Sequence, residues 1–347
     1  MSSTTIFRVG LVGAGGISRA HTYACQNVDR VELCAVSDVS EEALNAYGEQ
    51  FGVENRYLDM DEMLDKENLD IAIICTWGIL HREVSNRIAN SQKVKAILCE
   101  KPFAQDALEA EDMVRVANEN GILLAEAFKF RHHPMHLQAK AMVDAGDIGE
   151  LSTIRSTFCM SSGDATNRPP ESNWRWDRAR GGGAIYDLGC YCIHHARFMF
   201  GADPICVYAT VQMGMDVDDA VYALLTFPND ATAQLSFGWR SGVAHYAEIC
   251  GADGMLKLDP VWNNENQVAH MTHFKGGSKA ETLEFGPVHQ FVNQLDHLCD
   301  CLESGQPHRI SPQNSINQMK VVDACFESIL TGNVVDLDLV EQTPQSP

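Results

Sequence analysis

Short apolar runs alternate with amphipathic stretches through the first third of the chain. The runs have the continuous hydrophobicity of strands buried on both faces, and they lie at Phe7–Val12, Val31–Ser37, Ile71–Cys75, Lys93–Leu98 and Ile122–Ala125. Helical patterns lie between them, at Arg19–Asn27, from about Glu41, at Met60–Lys66, from His81 and at Ala107–Asn120. This alternation predicts parallel pairing and a doubly wound α/β Rossmann sheet, which we assign to residues 1–127.

Residues 128–347 have a different, β-rich pattern and are assigned to a second, α+β domain for substrate binding and oligomerisation. Its predicted strands are Leu151–Cys159, Cys206–Gln212, Val221–Phe227, Ala233–Trp239, Ala247–Cys250 and Met255–Leu258. Amphipathic patterns at His289–Cys301 and Ser315–Leu330 predict two helices that return to cover the first domain. Residues 341–347 are expected to form a loose tail.

Composition narrows the function classes. The 347 residues suit two domains, and the net charge of −21 disfavours nucleic acid and anionic lipid as partners. No apolar run approaches the roughly 18–20 residues that span a bilayer, and the N-terminus lacks the features of a signal peptide. The twelve cysteines are scattered without a CxxC pair. We therefore expect reduced thiols and a cytoplasmic location.

A glycine-rich loop follows the first predicted strand and opens the first helix. Its residues Gly13-Ala14-Gly15-Gly16-Ile17-Ser18 form a GxGxxG pattern with serine in the third place. Gly13 permits a tight turn, and Gly15 lets the backbone approach a pyrophosphate that the helix N-terminus stabilises. Gly16 and Ile17 complete this predicted dinucleotide site.

Asp38 ends the second strand, about twenty residues after the glycines. A carboxylate at this point can accept hydrogen bonds from the ribose hydroxyls of NAD, and it repels the 2′-phosphate of NADP. The alternative is that Asp38 only caps the helix that begins near Glu41. We predict ribose binding and NAD, rather than NADP, as the cofactor.

The stretch Ile97–Phe103 brings Glu100, Lys101 and Pro102 to the carboxyl end of a strand, where ligands bind in open α/β sheets. A lysine there can hold or pass a proton, although a single lysine after a strand can also be a solvated surface charge. Thr76 and Trp77 open the preceding loop over the cofactor, and His81 starts the next helix.

A second glycine run, Gly181–Gly183, precedes a predicted helix in the β-rich part of the chain. Three glycines let the backbone pack tightly or approach a ligand. The helix places Asp187, Tyr191 and His195 at successive i, i+4 positions on one face, so these polar groups face a cavity or each other. For His195 a buried, hydrogen-bonded structural role is the alternative.

Each of the other candidate polar residues could have either a binding role or a structural role. Lys129 and Arg131 bind substrate hydroxyls or a carboxylate, or they form interdomain pairs. Trp174 and Arg175 border the substrate pocket, or the tryptophan packs the sheet. The histidines at 132, 133 and 136 suggest a metal, but no carboxylate or cysteine at ligand spacing completes a site, so we predict none.

The ordered motifs resemble those of the Gfo/Idh/MocA oxidoreductases over nearly the whole chain. They are the Gly13–Ser18 loop, Thr76 with His81, Glu100-Lys101-Pro102, and Glu126-Ala127-Phe128 with Arg131, His133 and Pro134. Trp77 and Gly78 depart from the proline and asparagine usual in the family, and Ser91–Ala96 also differs. The resemblance implies no metal and a large, mostly antiparallel sheet whose open face supports homodimers or homotetramers.

The resemblance also implies the chemistry. Tyr191 would exchange the proton of the reacting oxygen, Lys101 would favour the ionised phenol, and Asp187 would bind a substrate hydroxyl or orient the base. The predicted function is NAD-dependent oxidation of a secondary hydroxyl of a sugar, cyclitol or glycoside. One alternative is redox-neutral glycoside cleavage in which NAD is recycled; it needs a second base such as His195. The other alternative is a non-catalytic NAD sensor.

Overall fold

The computed structural model describes residues 5–163 and 168–339. The chain divides into two compact units. The first contains the described residues up to His132 together with His289–Ser315, and the second contains His133–Val288 and the chain from Ile316 onward. The predicted tail at 341–347 lies outside the described residues.

The first unit is built on a six-stranded parallel sheet, as predicted. Its strands are β1 (Phe7–Val12), β2 (Val31–Ser37), β3 (Asn55–Tyr57), β4 (Ile71–Ile74), β5 (Ala96–Glu100) and β6 (Leu123–Ala127), in the order β3-β2-β1-β4-β5-β6. The helices between them are α1 (Ser18–Asn27), α2 (Glu41–Phe51), α3 (Met60–Lys66), α4 (His81–Ser91) and α5 (Ala107–Glu119). The doubly wound Rossmann fold is confirmed.

Strand β5 starts three residues later than the sequence predicts. The amides of Lys95 and Ala96 both donate to the carbonyl of Asp70, and the ladder with β4 begins only at Ala96. The strand consequently runs on to Glu100, and Lys101 is the first residue beyond the sheet.

The second unit is built on a mostly antiparallel ten-stranded sheet, and this prediction is also confirmed. Its strands are β7 (Leu151–Ser161), β8 (Cys206–Met213), β9 (Asp218–Thr226), β10 (Thr232–Gly238), β11 (Arg240–Ala244), β12 (Ala247–Gly251), β13 (Gly254–Asp259), β14 (Ala269–Lys275), β15 (Ser278–Phe285) and β16 (Val335–Asp336). The order is β15-β14-β13-β12-β7-β10-β9-β8-β16, with β11 on β7; β7 and β10 form a parallel pair.

Two helices of the second unit precede strand β8 in the chain. They are α6 (Pro134–Asp144) and α7 (Cys190–Phe200). A π-helical turn, Ile185–Gly189, leads into α7. A Cβ atom at Gly189 would overlap the buried ring of Phe237 on β10, so this turn lies as close to the sheet as its backbone allows.

The two C-terminal helices, α8 (Gln290–Ser304) and α9 (Pro312–Thr331), belong mainly to different units. Helix α8 adds Phe291, Leu295 and Leu298 to the core of the Rossmann unit. Helix α9 binds the second unit, because Gln318 donates to the carbonyl of Cys190 and Ser328 accepts from the amide of Ala209. This differs from the expectation that both helices cover the first domain.

No helix in the described residues is long and apolar enough to span a bilayer. All twelve cysteines lie in the described part of the chain, and each is a free thiol.

The tight approach of the π-helical turn gives a stability prediction. Gly189→Ala should lower the free energy of unfolding by about 1–3 kcal/mol, because the added methyl group overpacks the core beside Phe237. Gly242→Ala is the matched control, since a Cβ there has no atom within 4 Å and should change stability little. Urea denaturation measures both; equal midpoints would contradict the prediction.

Candidate active site

The glycine loop adopts the turn expected of a dinucleotide site. Gly13 has φ +105°, and a Cβ there would lie 2.8 Å from the carbonyl carbon of Cys75. Gly15 and Gly16 differ, because a Cβ at either position would meet no atom within 4 Å. Ser18 begins α1, and its hydroxyl donates to the carbonyl of Gly15 at 2.6 Å. The loop is therefore tight where it packs on the sheet and open on its outer side.

The carboxylate of Asp38 holds this loop from the end of β2. It accepts hydrogen bonds from the amide of Ala14 at 2.7 Å and from the amide of Ser40 at 2.8 Å. The N-cap of α2 is Ser40, whose hydroxyl accepts from the amide of Ala43. Helix capping thus belongs to Ser40, and Asp38 stays at the mouth of the loop.

A cleft of about 500 Å³ opens above these residues within the first unit. Among the residues that line it are Gly13, Gly15, Asp38, Thr76 and Trp77. The Thr76 hydroxyl is buried and has no hydrogen-bond partner among the described residues. The cleft volume, the open space beside the glycines and this unsatisfied hydroxyl fit a dinucleotide cofactor.

The cleft is acidic on the side of Asp38. Asp59 and Glu83 also line it, together with the basic residue Arg87. The Arg87 guanidinium lies 2.8 Å from Asp61, 3.6 Å from Asp59 and 3.7 Å from Glu83. The positive charge of Arg87 is therefore already balanced by carboxylates.

Glu100 fixes the backbone from which Lys101 extends. One of its carboxylate oxygens lies 2.8 Å from Nε2 of His21 on α1, and the other accepts the amide of Lys101 at 3.2 Å. Glu100 and His21 are both buried, whereas Lys101 is half-buried. The side chain of Lys101 therefore starts from a backbone that a buried interaction orients.

His81 connects the loops that follow β4 and β5. Its Nδ1 lies 2.8 Å from the carbonyl oxygen of Pro102, and its Nε2 lies 3.2 Å from that of Thr76. Burial lowers the pKa of His81, so the neutral ring has one N–H, which we assign to Nδ1 as donor to Pro102 from the shorter distance; Nε2 then makes no hydrogen bond to the Thr76 carbonyl. His81 ties the Lys101–Pro102 segment to the cleft loop; a direct contact with cofactor stays a prediction.

Lys129 and Arg131 both have structural contacts within the first unit. The Nζ of Lys129 lies 5.4 Å from the centre of the Phe291 ring. Arg131 donates to the carbonyl of Arg309 at 3.2 Å, and Arg309 donates back to the carbonyl of Arg131 at 3.1 Å. These contacts support a structural role for Arg131, and substrate binding by either residue stays a prediction.

The second unit brings three predicted substrate residues together. Arg175 donates from Nε to Asp187 at 2.7 Å, and its guanidinium carbon lies 4.7 Å from the centre of the Trp174 ring. An arginine stacked on an aromatic ring and paired with a carboxylate is a rigid polar group. The arrangement suits hydrogen bonding to adjacent hydroxyl groups.

Tyr191 and His195 lie in an aromatic cluster of the same unit. The Tyr191 ring lies 5.4 Å from Phe158 and 5.7 Å from Trp262. His195 lies 5.5 Å from Trp262 and 5.4 Å from His136, with no exposed surface. Complete burial favours the structural alternative for His195, whereas Tyr191 keeps a small exposed fraction of 7%.

Asp218 is a site-building residue that the sequence analysis missed. Its carboxylate accepts the amide of Ile185 at 2.7 Å, at the start of the π-helical turn that carries Asp187. The space it fills is available only because Gly183, at φ +125°, has no Cβ. Burial raises the pKa of Asp218 to about 7. In the sequence, the two adjacent aspartates at the start of β9 could have indicated this role, but they match no known motif.

The comparisons with known proteins agree with this geometry. Residues 7–128 match the model of an oxidoreductase family with an NAD-binding Rossmann fold, and residues 136–257 match the Gfo/Idh/MocA C-terminal domain. The chain is 30% identical to a dTDP-3,4-didehydro-2,6-dideoxy-α-D-glucose 3-reductase from Actinomadura kijaniata, over 91% of this chain and 94% of the reductase. It is 26% identical to D-xylose 1-dehydrogenase (NADP⁺) 2 from Haloferax volcanii, over 95% and 99%.

A solved structure shows the same likeness. The aldose–aldose oxidoreductase from Caulobacter crescentus, complexed with glycerol, superposes with a TM-score of 0.86 at 25% identity, covering 96% of this chain and all of that one. The chain belongs to the Gfo/Idh/MocA family of oxidoreductases, and it is an NAD(P)-dependent enzyme of that family.

The two kinds of glycine in the loop give separable predictions. Gly15→Ala should preserve the melting temperature, because a methyl group at this position meets no protein atom. It should weaken NAD(P) binding by about 10-fold or more, because the methyl group would occupy the space that the cofactor fills when it binds. Gly13→Ala should lower the melting temperature, because its methyl group meets the Cys75 backbone at a strained φ. Calorimetric titration and thermal melts test the pair; unchanged cofactor affinity in Gly15→Ala would contradict the assignment.

Proposed function

We propose that the protein is an NAD-dependent dehydrogenase that oxidises a secondary hydroxyl of a sugar, cyclitol or glycoside. The observation that carries the proposal is the pairing of an open glycine loop with a lysine whose amide donates to Glu100 and whose neighbour Pro102 accepts a hydrogen bond from His81 at the start of α4. The sugar-acting relatives support the substrate class.

Two residues are proposed to handle the proton. The Tyr191 phenol oxygen takes the proton of the reacting hydroxyl as general base, and the Lys101 ammonium stabilises the negative charge that develops on oxygen. The bound nicotinamide supplies the redox chemistry by accepting hydride from the carbinol carbon. Asp187, oriented by Arg175, binds a neighbouring substrate hydroxyl.

The residues that favour NAD line the acidic side of the cleft. Asp38, Asp59 and Glu83 would repel a 2′-phosphate, and Arg87 is already paired with carboxylates. The xylose dehydrogenase relative uses NADP according to its name, so the preference has to come from these residues of this chain.

Redox-neutral glycoside cleavage is the weaker candidate. Elimination requires a second base, and the residue suggested for it, His195, has no exposed surface in the second unit. The sensor alternative gives no role to Lys101 and Tyr191.

The second unit also offers a face for self-association. Tyr208 on β8 lies opposite Leu224 on β9, and Tyr222 also lies on β9; all three are exposed. An apolar patch of this kind fits a homodimer or homotetramer formed through the open sheet.

The free cysteines support a reducing, cytoplasmic compartment.

The cofactor proposal predicts a shift in preference. The native enzyme should have a higher kcat/KM with NAD than with NADP, and Asp38→Ser should raise the NADP/NAD ratio by about 10-fold or more, because the repelling carboxylate is gone. Asp29→Asn, an exposed carboxylate outside the cleft lining, is the control. A native preference for NADP would sink this part of the proposal.

The proton-handling proposal predicts coupled losses. Lys101→Met and Tyr191→Phe should each lower kcat by about 100-fold or more with little change in NAD affinity, and the double variant should lose little further activity because the residues act as a unit.

Two controls accompany these variants. Lys95→Met removes an exposed lysine paired with Asp70, and Tyr186→Phe changes a tyrosine in the π-helical turn that precedes α7, the helix of Tyr191. Both should retain near-native kcat. Full activity in Lys101→Met, with melting temperature unchanged, would refute the mechanism.

A further inference from the structure

Three histidines from distant parts of the sequence meet in the first unit. His132 ends the Lys129–His132 turn, His297 lies on α8, and His308 lies in the connection between α8 and α9. One ring nitrogen of each lies within 4.8 Å of one nitrogen of both others. The ring centres are 4.8–5.5 Å apart. We call these residues the His132 cluster.

The cluster differs from the group considered in the sequence. Of the histidines at 132, 133 and 136, only His132 joins it; Nδ1 of His133 accepts the amide of Met135, and Nε2 of His136 faces the carbonyl of Val261. The partners of His132 come from about 165 and 176 residues further along the chain, so no local spacing could identify them.

The polar atoms of the cluster are left unsatisfied by the protein. Both ring nitrogens of His132 and the Nε2 of His308 are buried without a hydrogen-bond partner among the described residues. His132 is only 2% exposed. Buried polar atoms usually have partners, and His132 and His308 each leave at least one ring nitrogen without one, which indicates a missing ligand.

A histidine binds a metal through a ring nitrogen that carries no proton. Nδ1 of His308 lies 3.2 Å from the amide of Ile310, which donates to it, and 3.3 Å from the Ile310 carbonyl. Metal binding through Nε2 therefore requires the tautomer in which Nδ1–H donates to that carbonyl.

Cys301 offers a fourth ligand. It lies one turn after His297 on α8, is buried, and its Sγ is 3.8 Å from Nδ1 of His297. Its thiolate would offset part of the positive charge that Arg309 brings to this region.

We propose that His132, His297, His308 and Cys301 form a structural zinc site. Three imidazoles and one thiolate match the ligand preference of Zn²⁺, and four protein ligands are typical of a structural site. Ligand atoms around a tetrahedral zinc ion lie about 3.4 Å apart, so small side-chain rotations would bring the three histidine nitrogens together. Cys301, which contacts His297, would have to turn toward the other two histidines to complete the set. The ion would fasten α8 and the loop after it to the Lys129–His132 turn.

The test uses the full-length protein after removal of metal by chelation. Zinc chloride titration against a chromophoric chelator should show one ion per chain and a rise in melting temperature. Co²⁺ in place of zinc should give tetrahedral visible bands and a thiolate-to-cobalt charge-transfer band, which reports Cys301 without reference to activity.

Three variants separate this site from adventitious binding. His297→Gln, at the half-buried member, should weaken zinc by about 10-fold or more, and Cys301→Ser should abolish the charge-transfer band. His270→Gln, an exposed histidine on β14, should bind like the native protein. Failure of the native chain to retain zinc, or equal affinity in His297→Gln and His270→Gln, would overturn the proposal.

Discussion

A carboxylate at a strand end holds a glycine-rich turn in each of the two units. In the first, Asp38 accepts the amide of Ala14; in the second, Asp218 accepts the amide of Ile185. Each interaction satisfies a backbone donor that the turn would otherwise leave unpaired, and each needs a nearby glycine with positive φ, Gly13 or Gly183. These two carboxylates hold the glycine loop of the cofactor cleft and the turn that carries Asp187, and Glu100 holds the backbone of Lys101 in the same way.

The local constraints explain what the sequence could predict. Gly13 is required because the loop backbone lies against the backbone of Cys75, and the strands of the first unit are apolar because both faces of the sheet are buried. Both features can be recognised from a few consecutive residues of the sequence. Asp38 was recognisable because its distance from the glycines is characteristic of the fold. The confirmed Rossmann sheet rests on these signals.

The missed features depend on partners far away in the sequence. Asp218 is recognisable only once the Gly183 turn packs against β9, and the His132 cluster requires α8 to fold onto the first unit. Strand β14 carries two histidines that obscure its alternation, and β15 is largely exposed, so the pattern of neither indicated a strand. Arg131 and His195 were ambiguous because a buried polar group and a ligand-binding group look alike without their neighbours.

The central claim is that the cofactor removes hydride from a substrate carbinol and is released reduced. The most direct measurement incubates the purified protein with NAD and free sugars, cyclitols or glycosides, and follows both nicotinamide absorbance and substrate loss. The account predicts NADH in an amount equal to the oxidised product for one class of substrate. Substrate consumption without NADH would contradict it and point to cofactor recycling or glycoside cleavage.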